Sequence, residues 1–469
     1  MSDRQYDLVI IGAGSGGLTA ASFAARLGAK VALVEKHRVG GDCTWTGCVP
    51  SKALLKAAKV AHEIRNAARF GIATSPPVAD MARVRDYVRS AITQVYQMET
   101  PEELRSQGID VIVGGARFLD AHTIEAGGQR IASKFFLIAT GARPFLPPIK
   151  GLAETPYVTY EQIFDNDQLP GKLLVVGGGP IGLEMAQAYQ RLGAQVTVVA
   201  EEILPKDEAE VRDVIRRVLA REGIQFVSAK ANAAKANGVG VTVTAGGAEL
   251  SGDLLLVAAG RKPTVEGLAL ENAGVTFSER GIAVDSELRT NVKHIYAAGD
   301  VTGGYQFTHF AGWQAFQAAR NALLPGSASG LTDLVPWVTF TDPEVAHIGM
   351  TESQARERFV DAIEVRRQSM AETDRAVCEN DTEGLLKMIF KKDGTLVGAT
   401  MVASRAGEAI TELVLAIKQG AKAADLSSAI HPYPTYSTAI QQVAAKFATE
   451  AALTSTTGRL ATTISRFLR

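Results

Sequence analysis

Two of the three cysteines in this 469-residue chain are close enough in sequence to act together. Cys43 and Cys48 are five positions apart, whereas Cys378 is isolated. Three cysteines in so long a chain cannot form a structural disulfide framework. A zinc site would need two further ligands at suitable spacing, and the sequence around the pair offers none. The pair therefore indicates redox chemistry.

The spacing of the pair predicts an interrupted backbone between the two thiols. Five residues of regular helix rise roughly 7.5 Å, which exceeds the usual Cα separation across a disulfide. Gly47 supplies the conformational freedom for a distorted turn. Pro50 suits the first turn of a helix, and the positive end of that helix would favour Cys48 as a thiolate.

A strand, a glycine-rich turn and a helix occur in the same order twice in the first half of the chain. Residues 7–11 and 173–176 are short β-branched apolar runs, and each opens into the pattern Gly-x-Gly-x-x-Gly. In this context the pattern predicts a Rossmann-type βαβ unit that binds a dinucleotide. The three glycines permit a sharp turn, close approach of a pyrophosphate and helix–strand packing, respectively. They are Gly12, Gly14 and Gly17 in the first copy and Gly177, Gly179 and Gly182 in the second.

The two copies differ where the second strand would meet the ribose. Glu35 ends that strand in the first copy and is suited to accept hydrogen bonds from ribose hydroxyls. The matching position in the second copy is Ala200, followed by Glu201 and Glu202. Glu201 could take the acid's role and repel a 2′-phosphate, so the sequence favours NADH over NADPH. If both glutamates are exposed to solvent and do not contact the ribose, NADPH remains an alternative cofactor.

The composition excludes several classes of partner. A formal net charge of -1 provides no excess of positive charge that would attract nucleic acid. No apolar run reaches the roughly 18 residues of a membrane span, and no secretory signal is evident, so a cytoplasmic location is expected. The stretch from Gln441 to Arg469 predicts a helix with a basic end, more typical of a dimer-packing or surface helix than of a membrane anchor.

The whole chain resembles the class I pyridine nucleotide-disulfide oxidoreductases. The motifs that carry the resemblance are the two fingerprints, Gly41 with Cys-x4-Cys-Val-Pro-Ser-Lys, Ala139-Thr140-Gly141, Glu184, Gly260-Arg-x-Pro, Ala-Gly-Asp300 and Phe340-Thr-Asp-Pro343. The resemblance implies an α/β fold with two Rossmann-like domains, for FAD and NAD(P), and a C-terminal α+β dimerisation domain in a homodimer. The implied segments are 1–150 (FAD-binding, first part), 151–268 (NAD(P)-binding), 269–334 (FAD-binding, return) and 335–469 (dimerisation).

The resemblance also implies roles for individual residues. Cys48 would be the flavin-side thiol and Cys43 the interchange thiol that faces the substrate. Lys52 and Glu184 would form an ion pair near the flavin, where a cation stabilises the reduced, anionic ring. Asp300, which on its own is more typical of a turn or helix cap, would bind the FAD ribityl chain.

The sequence departs from the family at its proton-transfer pair. The dehydrogenase and glutathione reductase branches carry a histidine base before Pro-Thr and a glutamate five residues after that histidine. Here Tyr433 and Thr438 stand at those positions. A phenol is a poor base at neutral pH, so dihydrolipoamide oxidation should be impaired. His431 is a second candidate for the base, although a solvated or satisfied histidine is the more ordinary interpretation.

These features favour a reductase of the mercuric reductase-like branch. Tyrosine at position 433 and the run Glu184–Tyr189 resemble that branch, but no cysteine pair stands near Arg469, so efficient mercuric reduction is doubtful. The predicted enzyme takes electrons from NAD(P)H through FAD, holds no structural metal, and reduces a metal ion, quinone or small disulfide. The alternatives are a dihydrolipoamide dehydrogenase and a flavin-bearing thiol redox sensor.

Overall fold

The computed structural model describes residues 4–468 and contains two units, each with its own sheets. The first unit runs to Ile203 and resumes over Glu222–Thr332. The second unit comprises Leu204–Arg221 and the chain from Asp333 onward. The four segments expected from the sequence stay a prediction. Arg469, the last residue of the predicted basic helix, lies outside the described residues.

The strands and helices alternate in the first half of the chain and are followed by a strand-rich second half. The strands are β1 Arg4–Ile11, β2 Val31–Glu35, β3 Ile109–Val113, β4 Arg117–Asp120, β5 Thr123–Ala126, β6 Gln129–Ile138, β7 Ala142–Pro144, β8 Lys172–Val176, β9 Gln195–Val199, β10 Gln225–Val227, β11 Ala231–Asn237, β12 Gly240–Ala245, β13 Ala248–Gly252, β14 Leu254–Val257, β15 Arg261–Pro263, β16 Phe277–Ser278, β17 Gly281–Ile282, β18 Ile295–Ala297, β19 Trp337–Thr339, β20 Glu344–Gly349, β21 Ile363–Ser369, β22 Leu385–Lys391 and β23 Leu396–Ala403. The helices are α1 Ser15–Arg26, α2 Gly41–Trp45, α3 Cys48–Arg65, α4 Met81–Tyr96, α5 Pro101–Ser106, α6 Pro180–Leu192, α7 Ala209–Arg221, α8 Thr308–Leu323, α9 Glu352–Phe359, α10 Asp374–Cys378, α11 Ala406–Ala409, α12 Thr411–Lys418, α13 Ala423–Ser428, α14 Thr438–Thr454 and α15 Thr456–Phe467.

The main sheet of the first unit has the strand order β3-β2-β1-β6-β5-β4, and β18 also pairs with β6. β1 runs parallel to β2 and β6. Its side chains are buried on both faces: Val9 and Ile11 pack into one core cluster, and Leu8 and Ile10 into another. Burial on both faces explains why this strand is a continuous apolar run rather than an alternating one.

The second βαβ unit forms a smaller parallel sheet of the same kind. Its strand order is β10-β9-β8-β14, and α6 connects β8 to β9. A separate antiparallel sheet, β11-β12-β13, lies in the same unit. The expected α/β class with two Rossmann-like sheets is confirmed.

The second unit is built on an antiparallel sheet of order β19-β20-β23-β22-β21. The buried residues of α14 are Ala439, Ile440, Val443, Ala444 and Phe447. Their spacing forms one helical face, which belongs to the same core cluster as the sheet residues of this unit. The expected α+β C-terminal part is therefore confirmed.

A buried ion cluster attaches the segment Leu204–Arg221 to this sheet. The side chain of Lys387, on β22, is only 2% exposed. Its Nζ lies 2.8 Å from Glu208 Oε1, 2.7 Å from Glu210 Oε1 and 2.9 Å from Glu352 Oε2. These carboxylates compensate for the burial of the ammonium group.

The C-terminal region consists of two helices in place of the one that the sequence predicts. Ser455 is extended, with φ -64° and ψ 158°, and separates α14 from α15. Its hydroxyl accepts a hydrogen bond from the Gly458 N–H at 3.0 Å, so Ser455 caps the second helix. Among residues 4–468, no helix is both long and apolar enough to cross a lipid bilayer.

Candidate functional site

The two glycine-rich loops share one geometry. Gly12 and Gly177 have φ of +104° and +129°, and a Cβ on either would overlap a backbone carbonyl, that of Ala139 or Ala258. The third glycines, Gly17 and Gly182, face the carbonyls of the first ones so closely that a Cβ would overlap them too. Larger residues at these positions are therefore excluded by contacts that recur in both copies.

The second glycine of each loop instead faces open space. A Cβ on Gly179 would meet nothing within 4 Å, and one on Gly14 would meet only the Gly41 Cα, at 3.8 Å. Each glycine precedes the first residue of a helix, α1 or α6. Both loops therefore leave room for a pyrophosphate at a helix N-terminus, where backbone N–H groups and the helix dipole favour an anion.

The acids beside the loops have partners that the sequence did not indicate. Glu35 Oε2 accepts a hydrogen bond from the Ala13 N–H at 2.8 Å, and its Oε1 accepts one from the His37 N–H. Glu201 Oε2 lies 3.4 Å from Lys230 Nζ. Lys230 follows β10, the neighbour of β9, and so brings a cation to the predicted ribose edge.

The two thiols lie on either side of a break between α2 and α3. α2 ends at Trp45 and α3 begins at Cys48, and Gly47 between them is non-helical, with φ -122° and ψ -111°. Both thiols are free; Cys43 is half-buried and Cys48 exposed. Cys48 Sγ lies 3.2 Å from Thr308 Oγ1 at the start of α8.

The thiols are electrostatically unequal. The hydrogen bond between them lowers the pKa of Cys48, and Thr308 and the nearby Lys52 lower it further against the effect of burial. The same hydrogen bond, together with burial, raises the pKa of Cys43. Cys48 is also the first residue of α3, where the helix dipole favours an anion. The first proton to leave the pair therefore leaves Cys48.

An ion pair lies close to the thiols. Lys52 Nζ is 2.8 Å from Glu184 Oε2, and the side chains are 37% and 7% exposed. Lys52 is on α3 and Glu184 on α6, so the pair joins the helices that begin at the thiol and at the second glycine loop. Its attraction offsets the burial of Glu184.

A partly buried arginine, with its side chain 19% exposed, joins the cysteine loop to the Ala-Gly-Asp motif. Arg261 Nη1 lies 2.9 Å from Asp300 Oδ2, and its Nη2 donates to Asp42, the residue before Cys43. Tyr160 packs its ring 5.3 Å from the guanidinium and donates a hydrogen bond to Asp42 at 3.2 Å. Burial raises the pKa of Asp300, and Arg261 opposes that effect.

Sequence reasoning missed Arg261, Asp42 and Tyr160 as members of this site. The Gly-Arg-x-Pro motif was a signal for the arginine, but only Gly260 was predicted to contact a cofactor. Gly260 has φ +125° and faces open space. Thr140, which was also predicted to contact a cofactor, donates its hydroxyl hydrogen bond to the Thr264 carbonyl at 2.7 Å, and the Gly141 carbonyl accepts from the Thr264 N–H.

The predicted proton-transfer residues lie in the second unit and do not converge on one another. Tyr433 is 70% exposed and donates to Asp374 Oδ2 at 2.6 Å. His431 Nε2 lies 3.2 Å from both oxygens of Glu412, and its Nδ1 lies 3.0 Å from the Ala429 carbonyl. Both imidazole nitrogens are therefore engaged.

The remaining candidates in the second unit form no metal site. Thr438 Oγ1 accepts a hydrogen bond from the Thr435 N–H, and Cys378 is exposed at the end of α10. Within residues 4–468, no group of three or more histidine, cysteine or acidic side chains is arranged to hold a metal ion.

The residues of the first unit fit a flavin dinucleotide. The open face at Gly14 suits a pyrophosphate, and Arg261 Nε is buried with no hydrogen-bond partner among the described residues. A buried, unpartnered donor beside Asp300 is expected where a polar ligand belongs. The open space at Gly14 fits the shape of the ligand, and the Arg261 Nε–H supplies a hydrogen-bond donor for it.

Comparison with known proteins agrees with this geometry. The pyridine nucleotide-disulphide oxidoreductase model matches residues 6–315, and the dimerisation domain of the same family matches residues 335–444. The mercuric reductase of Staphylococcus aureus is 36% identical over 456 residues, covering 95% of this chain and 83% of that one. The dihydrolipoyl dehydrogenase of Thermus scotoductus is 36% identical over 455 residues, covering 94% and 97%.

A solved structure is similar over nearly the whole chain. It is a Cu(II) complex of the HOCl-induced flavoprotein disulfide reductase RclA from Escherichia coli, with a TM-score of 0.86, 31% identity, and coverage of 95% of this chain and 100% of that one. The chain therefore belongs to the pyridine nucleotide-disulphide oxidoreductase family. Members of this family are FAD-dependent enzymes that use NAD(P)H, and the expected cofactors and enzyme class are confirmed.

The unequal thiols predict a spectroscopic signature. Two-electron reduction of the FAD-loaded protein should give a long-wavelength absorption band, which arises from charge transfer between the Cys48 thiolate and the oxidised flavin. Because the pKa of Cys48 is lowered, the band should persist below about pH 8.5, the ordinary thiol value, and fade only as the pH falls through the lowered pKa. Cys48→Ser should abolish the band and Cys43→Ser should retain it. An unchanged band in Cys48→Ser would contradict the assignment.

The arginine cluster predicts a selective loss of stability. Arg261→Gln leaves Asp42 and Asp300 without their shared cation, and should lower the free energy of unfolding by about 3 kcal/mol. Adding Asp42→Asn should recover part of this loss. The control is Arg143→Gln, whose pair with Glu266 is about half exposed and should be worth less than about 1 kcal/mol. Urea denaturation measures all four proteins, and equal losses for Arg261→Gln and Arg143→Gln would count against the cluster.

Proposed function

We propose that this chain is an NAD(P)H-dependent flavin–disulfide reductase of the mercuric reductase-like branch. It works as a homodimer, consistent with its dimerisation domain, and its acceptor is a metal ion, quinone or small disulfide. In the first half-reaction, NAD(P)H and a proton reduce the Cys43–Cys48 disulfide to two thiols. In the second, the dithiol gives two electrons to the acceptor, releases two protons and re-forms the disulfide.

Each cofactor has its own group of residues in this proposal. The loop at Gly12, Gly14 and Gly17, with Glu35, Gly41, Thr140, Gly141, Gly260 and Asp300, would hold FAD. The loop at Gly177, Gly179 and Gly182, with Glu201, would hold the nicotinamide nucleotide. A flavin held by these residues would supply the two-electron chemistry that links a reduced nicotinamide to the disulfide. Lys52, held by Glu184, supplies positive charge beside the thiols.

The two thiols have different roles in electron transfer. Cys48 keeps the thiolate, because its hydrogen bond to Cys43, the nearby Lys52 and the end of α3 all favour its anion. Cys43 keeps its proton and remains the thiol that meets the acceptor. A dithiol substrate would instead be an electron donor that reduces the enzyme disulfide, and the removal of its protons calls for a nearby base.

One observation carries the choice of acceptor, the hydrogen bond that Tyr433 donates to Asp374. That bond raises the pKa of Tyr433 above the ordinary value of a phenol, so the side chain keeps its proton at neutral pH and offers less phenolate to act as a base. His431 is occupied by Glu412 and a backbone carbonyl. Oxidation of a dithiol donor is therefore disfavoured, and the reduction of a soft metal ion or a quinone, which removes no proton from the substrate, is favoured. Two of the similar proteins, a mercuric reductase and a reductase in complex with Cu(II), have names that involve a metal ion, whereas the equally similar dihydrolipoyl dehydrogenase represents the alternative.

A steady-state screen of the FAD-loaded enzyme tests this proposal. Oxidation of NADH would be followed with Hg²⁺, Cu²⁺, a soluble quinone, lipoamide and glutathione disulfide as acceptors. The Cys43→Ser variant distinguishes two routes of electron transfer. Reduction of an acceptor through the thiols should be lost in this variant, whereas direct reduction of an acceptor by the flavin should persist. The proposal requires a metal ion or quinone with a kcat/KM above that of lipoamide. Lipoamide as the best acceptor would favour a dihydrolipoamide dehydrogenase and overturn the assignment to the mercuric reductase-like branch.

Restoring the family's proton-transfer pair should create dithiol activity. General-base catalysis typically contributes 10²–10⁴-fold, so dihydrolipoamide oxidation should be slower than in a dedicated dehydrogenase by about that factor. Tyr433→His with Thr438→Glu should raise this activity and leave reduction of the flavin by NADH unchanged. Rapid dihydrolipoamide turnover in the unaltered enzyme would indicate that another residue, such as His431, supplies the base.

The ribose edge should favour NADH over NADPH. Glu201 and Glu202 repel a 2′-phosphate, and Lys230 offers a partial attraction beside them. Lys230→Ala removes that attraction and should lower kcat/KM for NADPH about tenfold more than it lowers kcat/KM for NADH. A tenfold effect corresponds to the loss of about one charge-assisted hydrogen bond to the 2′-phosphate. Ala200→Glu should also sharpen the preference for NADH. A tenfold preference of the unaltered enzyme for NADPH would contradict this reading of the edge.

A further inference from the structure

The helix α15 has a defined N-terminus and a defined orientation relative to the end of α14. Gly458 lies so close to the Ala452 carbonyl that a Cβ there would overlap it, and Ser455 caps the helix. Gly458 and Thr462 are half-buried, whereas the rest of the helix is exposed. The small, polar side of α15 therefore faces the protein, and its opposite side faces outward.

The outward side of α15 is apolar. Leu460, Ile464 and Phe467 follow the spacing of one helical face and are 62%, 50% and 93% exposed. Leu468 continues this face and is 83% exposed. We call these four residues the apolar stripe of α15. A helix whose apolar side points away from its own protein is inverted relative to an ordinary surface helix and calls for an external partner.

The charged side chains within the segment that contains the stripe are all positive. Residues 451–469 contain three arginines, Arg459, Arg466 and Arg469, and no aspartate, glutamate or lysine. The first two are exposed on α15, and their sequence positions put them outside the apolar stripe. An exposed apolar face beside arginines and hydroxyl-bearing residues is the pattern of a helix that lies in the plane of a lipid–water interface.

We propose that the apolar stripe of α15 docks on an anionic lipid bilayer surface. The leucine, isoleucine and phenylalanine side chains enter the acyl boundary, and Arg459 and Arg466 meet lipid phosphates. The charge favours this partner over a second copy of the same segment, because residues 451–469 contain arginines but no acidic side chain to meet the arginines of the other copy. The match to the dimerisation domain also ends at residue 444, before α15 begins. The contact is peripheral and is independent of which acceptor the enzyme reduces.

A homodimer would strengthen such a contact. Two copies of a weak interfacial helix on one particle bind a surface more tightly than either alone, provided that both reach it. An enzyme held at a bilayer would also gain access to acceptors dissolved there, including the quinones among the proposed acceptor classes.

Vesicle flotation with the full-length, FAD-loaded enzyme tests the proposal. We expect binding to vesicles of phosphatidylglycerol and phosphatidylcholine, and markedly less to phosphatidylcholine alone. Leu460→Ser with Phe467→Ser should weaken binding at least about tenfold. Arg459→Gln and Arg466→Gln should each weaken it about fivefold, and added salt should mimic their effect. The control is Phe277→Ser, an exposed aromatic of the first unit, which should leave binding unchanged.

Light scattering and NADH oxidation separate the other outcomes. None of these variants touches the proposed machinery, so turnover of a soluble acceptor should be unchanged. Loss of the dimer in Leu460→Ser with Phe467→Ser, without vesicle binding by the unaltered enzyme, would show that a second copy covers the stripe and would overturn the proposal. Absence of binding to every vesicle composition would also overturn it. Binding that ignores both lipid charge and the arginines would refute the assignment of an anionic surface.

Discussion

The arrangement of the redox site depends on one partly buried guanidinium. Arg261 lies between Asp42 and Asp300 and beneath the ring of Tyr160, so it joins segments that are far apart in the sequence. Asp42 precedes Cys43, and this link therefore ties the thiol loop to the segment predicted to bind the flavin ribityl chain. Two carboxylates compensate for the partial burial of this charge, so the loss of either one would leave the guanidinium only partly compensated.

Local sequence patterns predicted the parts of the site that depend on short-range constraints. The glycine loops follow from turns that only glycine can form without overlapping a neighbouring carbonyl, as at Gly12 and Gly177. The break between Cys43 and Cys48 follows from helix rise and from Gly47. Such constraints involve a few adjacent residues, and the sequence presents them directly.

Long-range pairings could not be predicted in the same way. Arg261 reaches a partner 219 positions away, and nothing local to either residue identifies the other. The neighbours of Lys230 and Tyr433 were likewise invisible, although the first adds a cation to the nucleotide edge and the second changes the basicity of a phenol. The sequence supplied the residue types, and the fold decided which charges meet. The roles of these residues accordingly rest on the experiments above.

The ion cluster around Lys387 has a consequence for acid tolerance. Burial alone would raise the pKa of Glu352, but hydrogen bonds from Lys387 and Arg356 lower it to about 2. An unfolded glutamate titrates near pH 4.3, so the stability that this depressed pKa contributes is complete above that value and fades only as the pH falls toward 2. The five-stranded sheet and the segment Leu204–Arg221 should thus stay joined in mildly acidic surroundings, where exposed carboxylates of ordinary pKa begin to lose their charge.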